Sequence, residues 1–395
     1  MHIVFMTTDF IDTEGATSGL PQYLFRTSRA LIGMANKVSV IACSNRTVEY
    51  QFYGINVYKV RRPIIKTYGN PRKDVVAQCL RDGFILNIKL SELSQREKID
   101  IVQYTSLSGL AYFHNIPAPA VTRLSSYAVM VPLDGQEDVQ AGRAEMERAA
   151  VCKSDAVFGP SFVVAKKVSA DTGVNVDVIE SPFLMNEEED DLSVFNERFS
   201  GKKYILFYGT LIKYKGLCEI ADAAHDILSR YADLHIGIIG DGDYRLVDLI
   251  KRNAGEDSNR IIYHSAIGFS ALKPIIKNAV AVMLPSLTEN LSNACIECMA
   301  LGQLVIGTRG ASFDQLIDDG KSGFLCEIGD YVSLAAAVDK VMLLSADERK
   351  LMQYNARKRA ETLSPDIVVK QLLEYYKKVI KECRPKYGNR GGIRD

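Results

Sequence analysis

The sequence predicts an α/β protein made of two doubly wound, Rossmann-like domains whose parallel sheets face a cleft. Short β-branched runs alternate with longer amphipathic stretches, which is the pattern of βαβ units. This alternation occurs in two series, and an acidic segment that is poor in apolar residues separates them. The length of 395 residues is enough for two or three domains of roughly 150 residues each.

The candidate elements follow one another in a regular order. The first series contains the candidate strands HIVFM, KVSVIA, INVYKV, DIVQYT, PAVTRL and DAVFG. The acidic stretch MNEEEDDLSVFNERFSGKK then predicts an inter-domain linker. The second series contains KYILFYG, DLHIGIIG, NRIIYHS, AVAVML, QLVIGT and SGFLCE, and a helix, IVVKQLLEYYKKVIKE, follows it. The predicted boundaries are 1–183 for the first domain, 184–202 for the linker, 203–364 for the second domain, 365–383 for the final helix and 384–395 for a frayed tail.

Composition excludes several classes of protein. Hydrophobic residues make up 47% of the chain and charged residues 24%, as in ordinary globular proteins. The net charge is zero, so no overall field favours nucleic acid. Cys295 and Cys298 are close, but no second pair or His cluster completes a zinc site, and both are expected to be core thiols. No apolar run approaches the roughly 18 residues of a membrane span. Free thiols and a polar N-terminus without the features of a signal peptide predict a cytoplasmic protein.

Glu297 is the only charged residue between Asn290 and Thr308. A carboxylate on an apolar element that is expected to be buried is costly unless a polar group pairs with it. Glu289, separated from Glu297 by seven residues, follows an apolar strand, and open α/β sheets bind ligands at the carboxyl ends of their strands. The two carboxylates therefore indicate a polar ligand. The alternative is a pair of solvated acids that flank a loop.

Two further strand ends in the second series have features of an anion site. The stretch YGTLIKYKG contains Gly209, which allows a close backbone turn, and Lys215, which is expected at the start of a helix. Gly240 and Gly242 form a second turn, although no third Gly completes a dinucleotide fingerprint. The alternative for Lys215 is a surface lysine beside a turn.

Taken together, these motifs resemble the GT-B glycosyltransferases, specifically the large retaining group called family 4. The resemblance rests on GTLIKYKG, GDG, PSLTENLSNACIECMALGQLVIGT and IDDGKSGFL, in that order across residues 204–330. The first domain matches more loosely, through SGLPQYLFRTSRAL and SDAVFGPS.

The resemblance implies a nucleotide-sugar donor that is held mainly by the second domain. Lys215 falls on the lysine that contacts the diphosphate, Glu289 lies near the donor sugar, and Glu297 binds the ribose hydroxyls. Lys215 and Glu289 are therefore the catalytic candidates. The other implied donor contacts are Gly19, Gly209, Thr210, Gly240, Asn290, Leu291 and Ser292. No metal or other cofactor is implied, because a lysine and helix N-termini can stabilise the leaving diphosphate.

The chain departs from the family pattern at several positions. Thr210 stands where the family often has Arg, and Lys213 is a candidate to compensate. Ser125 stands about where the family has a histidine near the sugar, with Arg123 beside it as a candidate polar group on the acceptor side. The N-terminal glycine pair is reduced to Ser18 and Gly19.

The remaining signals concern the first domain and the nucleotide base. The stretch VRRPIIKTYGNPRKD collects five cations, which indicate either peripheral contact with an anionic membrane or a solvated loop: Arg61, Arg62, Lys66, Arg72 and Lys73. His264 ends a candidate strand and is either part of a base pocket or a near-core histidine.

The predicted function is transfer of a hexose from a nucleotide sugar to the hydroxyl of a saccharide or lipid-linked acceptor, with retention of the anomeric configuration. Acceptor selection is expected in the first domain. Two alternatives remain open, a GT-B sugar-nucleotide epimerase and a non-catalytic nucleotide-sugar binding or assembly protein.

Overall fold

A computed structural model describes residues 1–11, 19–131, 135–185 and 188–387, with side chains as far as Cys383 in the last helix. The chain forms two compact units. The first unit consists of Met1–Leu184 together with Leu363–Asp395, and the second is Met185–Thr362.

The first unit contains a sheet of eight strands within the described residues, in the order β3-β4-β2-β1-β5-β6-β7-β8. All neighbouring strands are parallel except β3, which runs antiparallel to β4. The strands are β1 (His2–Thr7), β2 (Lys37–Ser44), β3 (Val48–Phe52), β4 (Ile55–Arg61), β5 (Ile101–Thr105), β6 (Ala120–Arg123), β7 (Ala156–Gly159) and β8 (Val176–Val178). The helices between them are α1 (Gly19–Gly33), α2 (Pro71–Arg96), α3 (Glu137–Lys153) and α4 (Phe162–Thr172).

Helices cover both faces of this sheet, so the unit is doubly wound as predicted. Leu24 and Leu31 of α1 pack with Ile3 and Phe5 on one face. Leu86, Leu90 and Leu93 of α2 pack with Val4 and Met6 on the other. Adjacent residues of a strand point to opposite faces, and this explains why β1 is apolar at every position from Ile3 to Met6.

The sequence analysis missed both edge strands of this sheet, β3 and the three-residue β8. The side chains of β3 are half-buried or exposed in alternation, so β3 lacks the apolar run that marked the predicted strands. The hairpin to β4 turns at Tyr53 and Gly54, which have φ angles of 50° and 80°. A two-residue turn with both φ angles positive matches the twist of paired strands, and Gly adopts it without strain.

The second unit contains six strands within the described residues, in the order β11-β10-β9-β12-β13-β14, and all neighbouring strands are parallel. The strands are β9 (Lys203–Tyr208), β10 (Leu234–Ile239), β11 (Ile261–His264), β12 (Val282–Leu284), β13 (Val305–Thr308) and β14 (Phe324–Cys326). The helices are α5 (Leu217–Arg230), α6 (Arg245–Ala254), α7 (Phe269–Asn278), α8 (Asn293–Ala300), α9 (Tyr331–Leu343) and α10 (Ala346–Glu361). All six strands predicted for the second series are present.

The segment predicted as a linker, 184–202, differs from that expectation, because the chain is part of the second unit from Met185 onward. Asp190 forms ion pairs with Lys273 and Lys277 of α7. Phe199 is fully buried and stacks at 4.8 Å on the ring of Tyr204. Asp190 and Phe199 therefore attach this segment to the second unit, while the acidic side chains on either side of Asp190 are exposed.

The last helix, α11 (Pro365–Tyr387), belongs to the first unit. Val369 and Leu372 lie in the core that also contains α1, and the Tyr376 hydroxyl donates to Gln103 Oε1 on β5 at 2.5 Å. The helix continues through Tyr387, further than the predicted end at 383. Residues 388–395, the rest of the predicted tail, lie outside the described part of the chain.

Candidate functional site

The second unit brings most of the predicted donor-binding residues to one edge of its sheet. Gly240 follows β10, Gly209 and Thr210 follow β9, and residues 285–292 follow β12. These three strands are neighbours and parallel, so their carboxyl ends lie together. This edge is the usual place for a ligand in an open α/β sheet.

Two glycines at this edge allow the loops to approach one another closely. A Cβ atom on Gly240 would lie 1.8 Å from the carbonyl oxygen of Gly209. A Cβ atom on Gly216 would lie 2.1 Å from the carbonyl oxygen of Pro285, and Gly216 also has a φ of 84°. Since only glycine fits at both places, these residues set the spacing of the loops after β9, β10 and β12.

Lys215 contacts Glu289, so the two predicted catalytic residues lie together. Lys215 ends a 3-10 turn, Lys213–Lys215, and α5 begins two residues later at Leu217. The sequence had predicted that Lys215 starts the helix, whereas in the structure it precedes the helix. Its Nζ forms an ion pair with Glu289 Oε1, and the two side chains are 25% and 14% exposed. Ser286 Oγ donates to the same carboxylate oxygen at 3.3 Å.

This ion pair can exchange partners. A lysine ammonium has three donors and no fixed geometry, so it can hold a carboxylate and a phosphate oxygen at once or pass from one to the other. Because both side chains are partly shielded from water, the charges act on a neighbouring ligand more strongly than exposed charges would. The pair can therefore bind an anion at Lys215 while Glu289 accepts hydrogen bonds from hydroxyl groups.

Glu297 is half-buried on α8, an element that was expected to be buried, and its carboxylate contacts Tyr208. The Tyr208 hydroxyl lies 3.0 Å from Glu297 Oε2 and 2.8 Å from the carbonyl oxygen of Ala294, so one proton is shared between two acceptors. Burial raises the pKa of Tyr208 well above its usual value, so this hydroxyl stays protonated and donates.

Sequence reasoning required a polar partner for Glu297 but did not identify Tyr208. The signal that was available is the position of Tyr208, the last residue of an otherwise apolar strand that ends at the ligand edge.

The loop residues before α8 include a helix cap. The Ser292 side chain accepts a hydrogen bond from the backbone N–H of Cys295 at 3.3 Å and is buried. Its hydroxyl oxygen therefore caps the N-terminus of α8. Asn290 and Leu291 are half-buried. Burial raises the pKa of the Cys295 thiol, in agreement with its predicted place in the core.

In the first unit, Arg123 and Ser125 are in contact. Arg123 ends β6 and is 5% exposed. Its Nη1 donates to Ser125 Oγ at 3.2 Å and its Nη2 to Ser181 Oγ at 2.8 Å. The guanidinium carbon lies 3.6 Å from the ring centroid of Tyr23. Desolvation lowers the pKa of Arg123. Sequence reasoning missed Tyr23 and Ser181, which are distant in the chain.

The other predicted positions are less tightly held. Thr210 and Lys213 are exposed at the end of β9. Gly19 is the exposed first residue of α1, and Ser18 lies outside the described part of the chain. His264 ends β11 as predicted, and its Nδ1 lies 2.9 Å from the carbonyl oxygen of Ser265.

The described residues contain no group of three or more His, Cys, Asp or Glu side chains that could hold a metal ion. Within the same residues, no helix combines the length and the apolar character needed to cross a membrane.

Comparison with known proteins identifies the second unit. Residues 188–359 match the model of the family described as glycosyl transferases group 1. These residues belong to that family. Except for Gly19, every donor-binding residue predicted from the sequence lies within this group 1 domain.

The curated proteins that this chain resembles include glycosyltransferases. Over 206 residues the chain is 24% identical to the capsular polysaccharide biosynthesis glycosyltransferase CapM of Staphylococcus aureus, and the match covers 50% of this chain and 51% of that protein. It is 28% identical to the D-inositol 3-phosphate glycosyltransferase of Corynebacterium urealyticum, over 44% of this chain and 43% of that protein. The chain thus spans about half the length of these curated relatives.

Solved structures show the fold. The sucrose-phosphate synthase of Thermosynechococcus elongatus matches with a TM-score of 0.75 at 15% identity, over 96% of this chain and 99% of that chain. Anabaena Alr3699/HepE in complex with UDP matches with a TM-score of 0.70 at 15% identity, over 96% of this chain and 100% of that chain. These matches confirm the predicted GT-B fold with two parallel-sheet domains. They agree with the match to the group 1 family.

Proposed function

We propose that the chain is a retaining glycosyltransferase that moves a hexose from a nucleotide-sugar donor to a hydroxyl of a saccharide or lipid-linked acceptor, in polysaccharide or glycoconjugate biosynthesis. The observation that carries this proposal is the pairing at one sheet edge of Lys215 with Glu289 and of Tyr208 with Glu297. A diphosphate is bound well by a cation, and sugar hydroxyl groups donate strong hydrogen bonds to carboxylates. The group 1 match and the UDP in the Anabaena structure support the choice of donor.

Each side chain at this edge has a separate proposed role. Lys215 neutralises the diphosphate as the glycosidic bond breaks, and Glu289 holds Lys215 and accepts hydrogen bonds from hydroxyl groups of the donor sugar. Glu297 accepts hydrogen bonds from the ribose hydroxyl groups, and Tyr208 fixes the orientation of its carboxylate. The remaining proposed donor contacts are Gly19, Gly209, Thr210, Gly240, Asn290, Leu291 and Ser292.

The proposed acceptor contacts are Arg123 and Ser125 in the first unit. Both lie at the end of β6, and the carboxyl ends of parallel strands are where such sheets bind ligands. The proposed chemistry is a same-face displacement, in which an oxygen of the leaving phosphate takes the proton of the acceptor hydroxyl as the new glycosidic bond forms.

Turnover should persist when metal ions are removed. The proposed stabilisation of the leaving diphosphate comes from Lys215 and backbone N–H groups, which are fixed before the reaction starts. We therefore expect the initial rate of transfer to be the same with EDTA as with added Mg²⁺ or Mn²⁺. A rate that EDTA abolishes and one of these ions restores would contradict metal-independent transfer.

The product should keep the anomeric configuration of the donor. If the acceptor hydroxyl attacks on the face that the phosphate leaves, an α-linked donor gives an α-linked product. Proton NMR of the product in the first turnovers reads the configuration directly. A β linkage from an α donor would overturn retention without affecting the proposed donor site. Donor conversion without any acceptor would indicate an epimerase, and binding without turnover would indicate a non-catalytic protein.

We also propose that the first unit touches an anionic membrane surface from the cytoplasmic side. In the segment between β4 and α2, Ile64 is 95% exposed and Tyr68 is 68% exposed, and Arg61, Lys66 and Lys73 are exposed beside them. Exposed apolar and cationic side chains on one segment are suited to a headgroup region. All eight cysteines are free thiols, as expected in a reducing compartment.

The other two cations of this segment contribute less, because they are already paired. Arg62 donates to Asp82 and to the carbonyl oxygen of Thr8, and Arg72 pairs with Glu145. The sequence-based proposal of five cations is thereby narrowed to three.

Co-sedimentation with vesicles tests the membrane contact. We expect the full chain to bind vesicles that contain phosphatidylserine and not neutral ones, and Lys66→Ala should weaken binding about fivefold, since one cation contributes about 1 kcal/mol near such a surface. Ile64→Ser should also weaken it. Leu343→Ser is the matched control, because Leu343 is 81% exposed in the other unit. Equal losses for Ile64→Ser and Leu343→Ser, or binding that is independent of lipid charge, would argue against the contact.

A further inference from the structure

Arg123 is a buried cation without a counter-charge. Among the described residues, no Asp or Glu forms an ion pair with its guanidinium, and its Nε has no hydrogen-bond partner. Its other two nitrogens donate to the hydroxyls of Ser125 and Ser181, and its third polar neighbour, the Tyr23 hydroxyl, is also uncharged. Buried charges in proteins are normally paired, because the loss of hydration costs several kcal/mol. The site therefore carries an uncompensated positive charge.

Two neighbouring side chains also have unpaired donors. Thr105 on β5 is the register partner of Arg123, and its buried hydroxyl has no hydrogen-bond partner. Gln103 lies two residues earlier on the same face, and its Oε1 accepts from Tyr376, which leaves its buried Nε2 without a partner. Few buried donors stay unpaired in native proteins. Three of them side by side indicate that a group rich in acceptors binds there.

A second arginine shows how the same chain satisfies a guanidinium structurally. Arg349 is half-buried, and its nitrogens donate to the carbonyl oxygens of Val280 at 2.6 Å and Val341 at 2.9 Å. Val341 lies in the last turn of α9, where the helix dipole is negative. Arg349 thus has acceptors and a favourable field from its own fold, whereas Arg123 has two hydroxyls and an aromatic ring.

We propose that Arg123, with the donors of Gln103 and Thr105, binds an anionic group, a carboxylate or a phosphate monoester, carried by one of the two sugar substrates. This inference rests on the proposed transferase function for the identity of the ligand. Arg123 and Thr105 are the last residues of β6 and β5, at the edge where α/β sheets bind ligands. Ser181 Oγ accepts a hydrogen bond from Arg123, so its own hydroxyl proton is available to donate to the anion.

The first test measures stability and needs no turnover. Without added anion, Arg123→Met should leave the thermal midpoint of the full chain unchanged or raise it, because it removes a buried charge that has no partner. Arg349→Met, the matched control, should lower the midpoint, because it leaves carbonyl groups unpaired. A decrease in Arg123→Met as large as that in Arg349→Met would show that Arg123 is structural and would overturn the proposal.

The same measurement detects the anion. The comparison is made in Lys215→Ala, which lacks the cation of the proposed donor site. Inorganic phosphate and glucuronate, compared with chloride at equal ionic strength and with glucose, should raise the midpoint of Lys215→Ala but not of the double variant Lys215→Ala/Arg123→Met. Arg123→Lys in the same background keeps the charge and should show a reduced shift. No shift in Lys215→Ala, or equal shifts in Lys215→Ala and the double variant, would overturn the proposal.

Substrate pairs identify which sugar carries the charge. In the donor arm, UDP-glucuronate is compared with UDP-glucose, and in the acceptor arm glucose 6-phosphate is compared with glucose. In one arm, Arg123→Met should lower kcat/KM for the anionic member by roughly 10- to 100-fold more than kcat/KM for the neutral member, mainly through KM. Transfer that prefers neutral substrates and is unaffected by Arg123→Met would refute the anion site and leave the transferase proposal intact. An Arg123-dependent shift in a chain that transfers no sugar would refute the transferase proposal instead.

Discussion

Replacing Lys215 by alanine should lower turnover at saturating donor by roughly 30- to 1,000-fold, which corresponds to about 2–4 kcal/mol of transition-state stabilisation. The ammonium is held in place by Glu289 before the reaction and is partly shielded from water, so it needs little reorganisation as charge develops on the leaving diphosphate. The measurement is the initial rate of transfer over a range of donor concentrations, together with a denaturant unfolding curve.

Two controls separate catalysis from folding. Lys203 sits at the opposite end of β9 and pairs with Asp233 on the surface, so Lys203→Ala removes an ion pair from the same unit without touching the ligand edge. Its effect on the free energy of unfolding should be below about 1 kcal/mol, and its turnover should be normal. The double variant Lys215→Ala/Glu289→Gln removes the carboxylate that the single variant leaves unpaired. Near-normal turnover of Lys215→Ala would exclude Lys215 from the reaction.

The sequence was sufficient for the fold because the fold depends on local patterns. Runs such as Tyr204–Tyr208 and Leu234–Ile239 are apolar at nearly every position, and each is followed by a Gly at the strand end, so their type and order could be read directly. The edge strand Val48–Phe52 lacks such a run and was missed. The acidic segment was misassigned because its partners, Lys273 and Lys277, lie more than 80 residues away.

In the candidate site, too, some features are evident from neighbouring residues, whereas others depend on residues that are far apart in the sequence. A carboxylate on an apolar helix made it clear that Glu297 needs a partner, but Tyr208 is 89 residues earlier, and only the order of strands in the sheet brings the two together. Arg123 and Ser181 are likewise 58 residues apart in the sequence, and the fold brings them into contact. Lys215, Glu289 and Glu297 stand out in the sequence by their chemistry, whereas the contacts that each makes depend on strand order, which βαβ alternation alone leaves open.

Glu297→Gln and Glu289→Gln should have opposite effects on a nucleoside diphosphate. Glutamine at 297 still accepts a hydrogen bond from Tyr208 but lacks the charge that strengthens hydrogen bonds from ribose hydroxyl groups. The dissociation constant for the nucleoside diphosphate should therefore rise roughly 10- to 100-fold. Glutamine at 289 removes a negative charge beside the diphosphate and frees Lys215 to bind it. Affinity for the diphosphate alone should therefore stay the same or increase, while use of the intact sugar donor falls.

Calorimetry on both variants, with whichever of UDP, GDP or ADP the wild-type chain binds, tests this split. Tyr208→Phe is the control for orientation, because it keeps the Glu297 charge and removes only the hydroxyl that fixes it. Its loss of affinity should be smaller than that of Glu297→Gln. Equal losses of diphosphate affinity in Glu297→Gln and Glu289→Gln would mean that both carboxylates act on the same part of the ligand. The separate roles proposed for ribose and sugar would then be wrong, even if both residues still line the site.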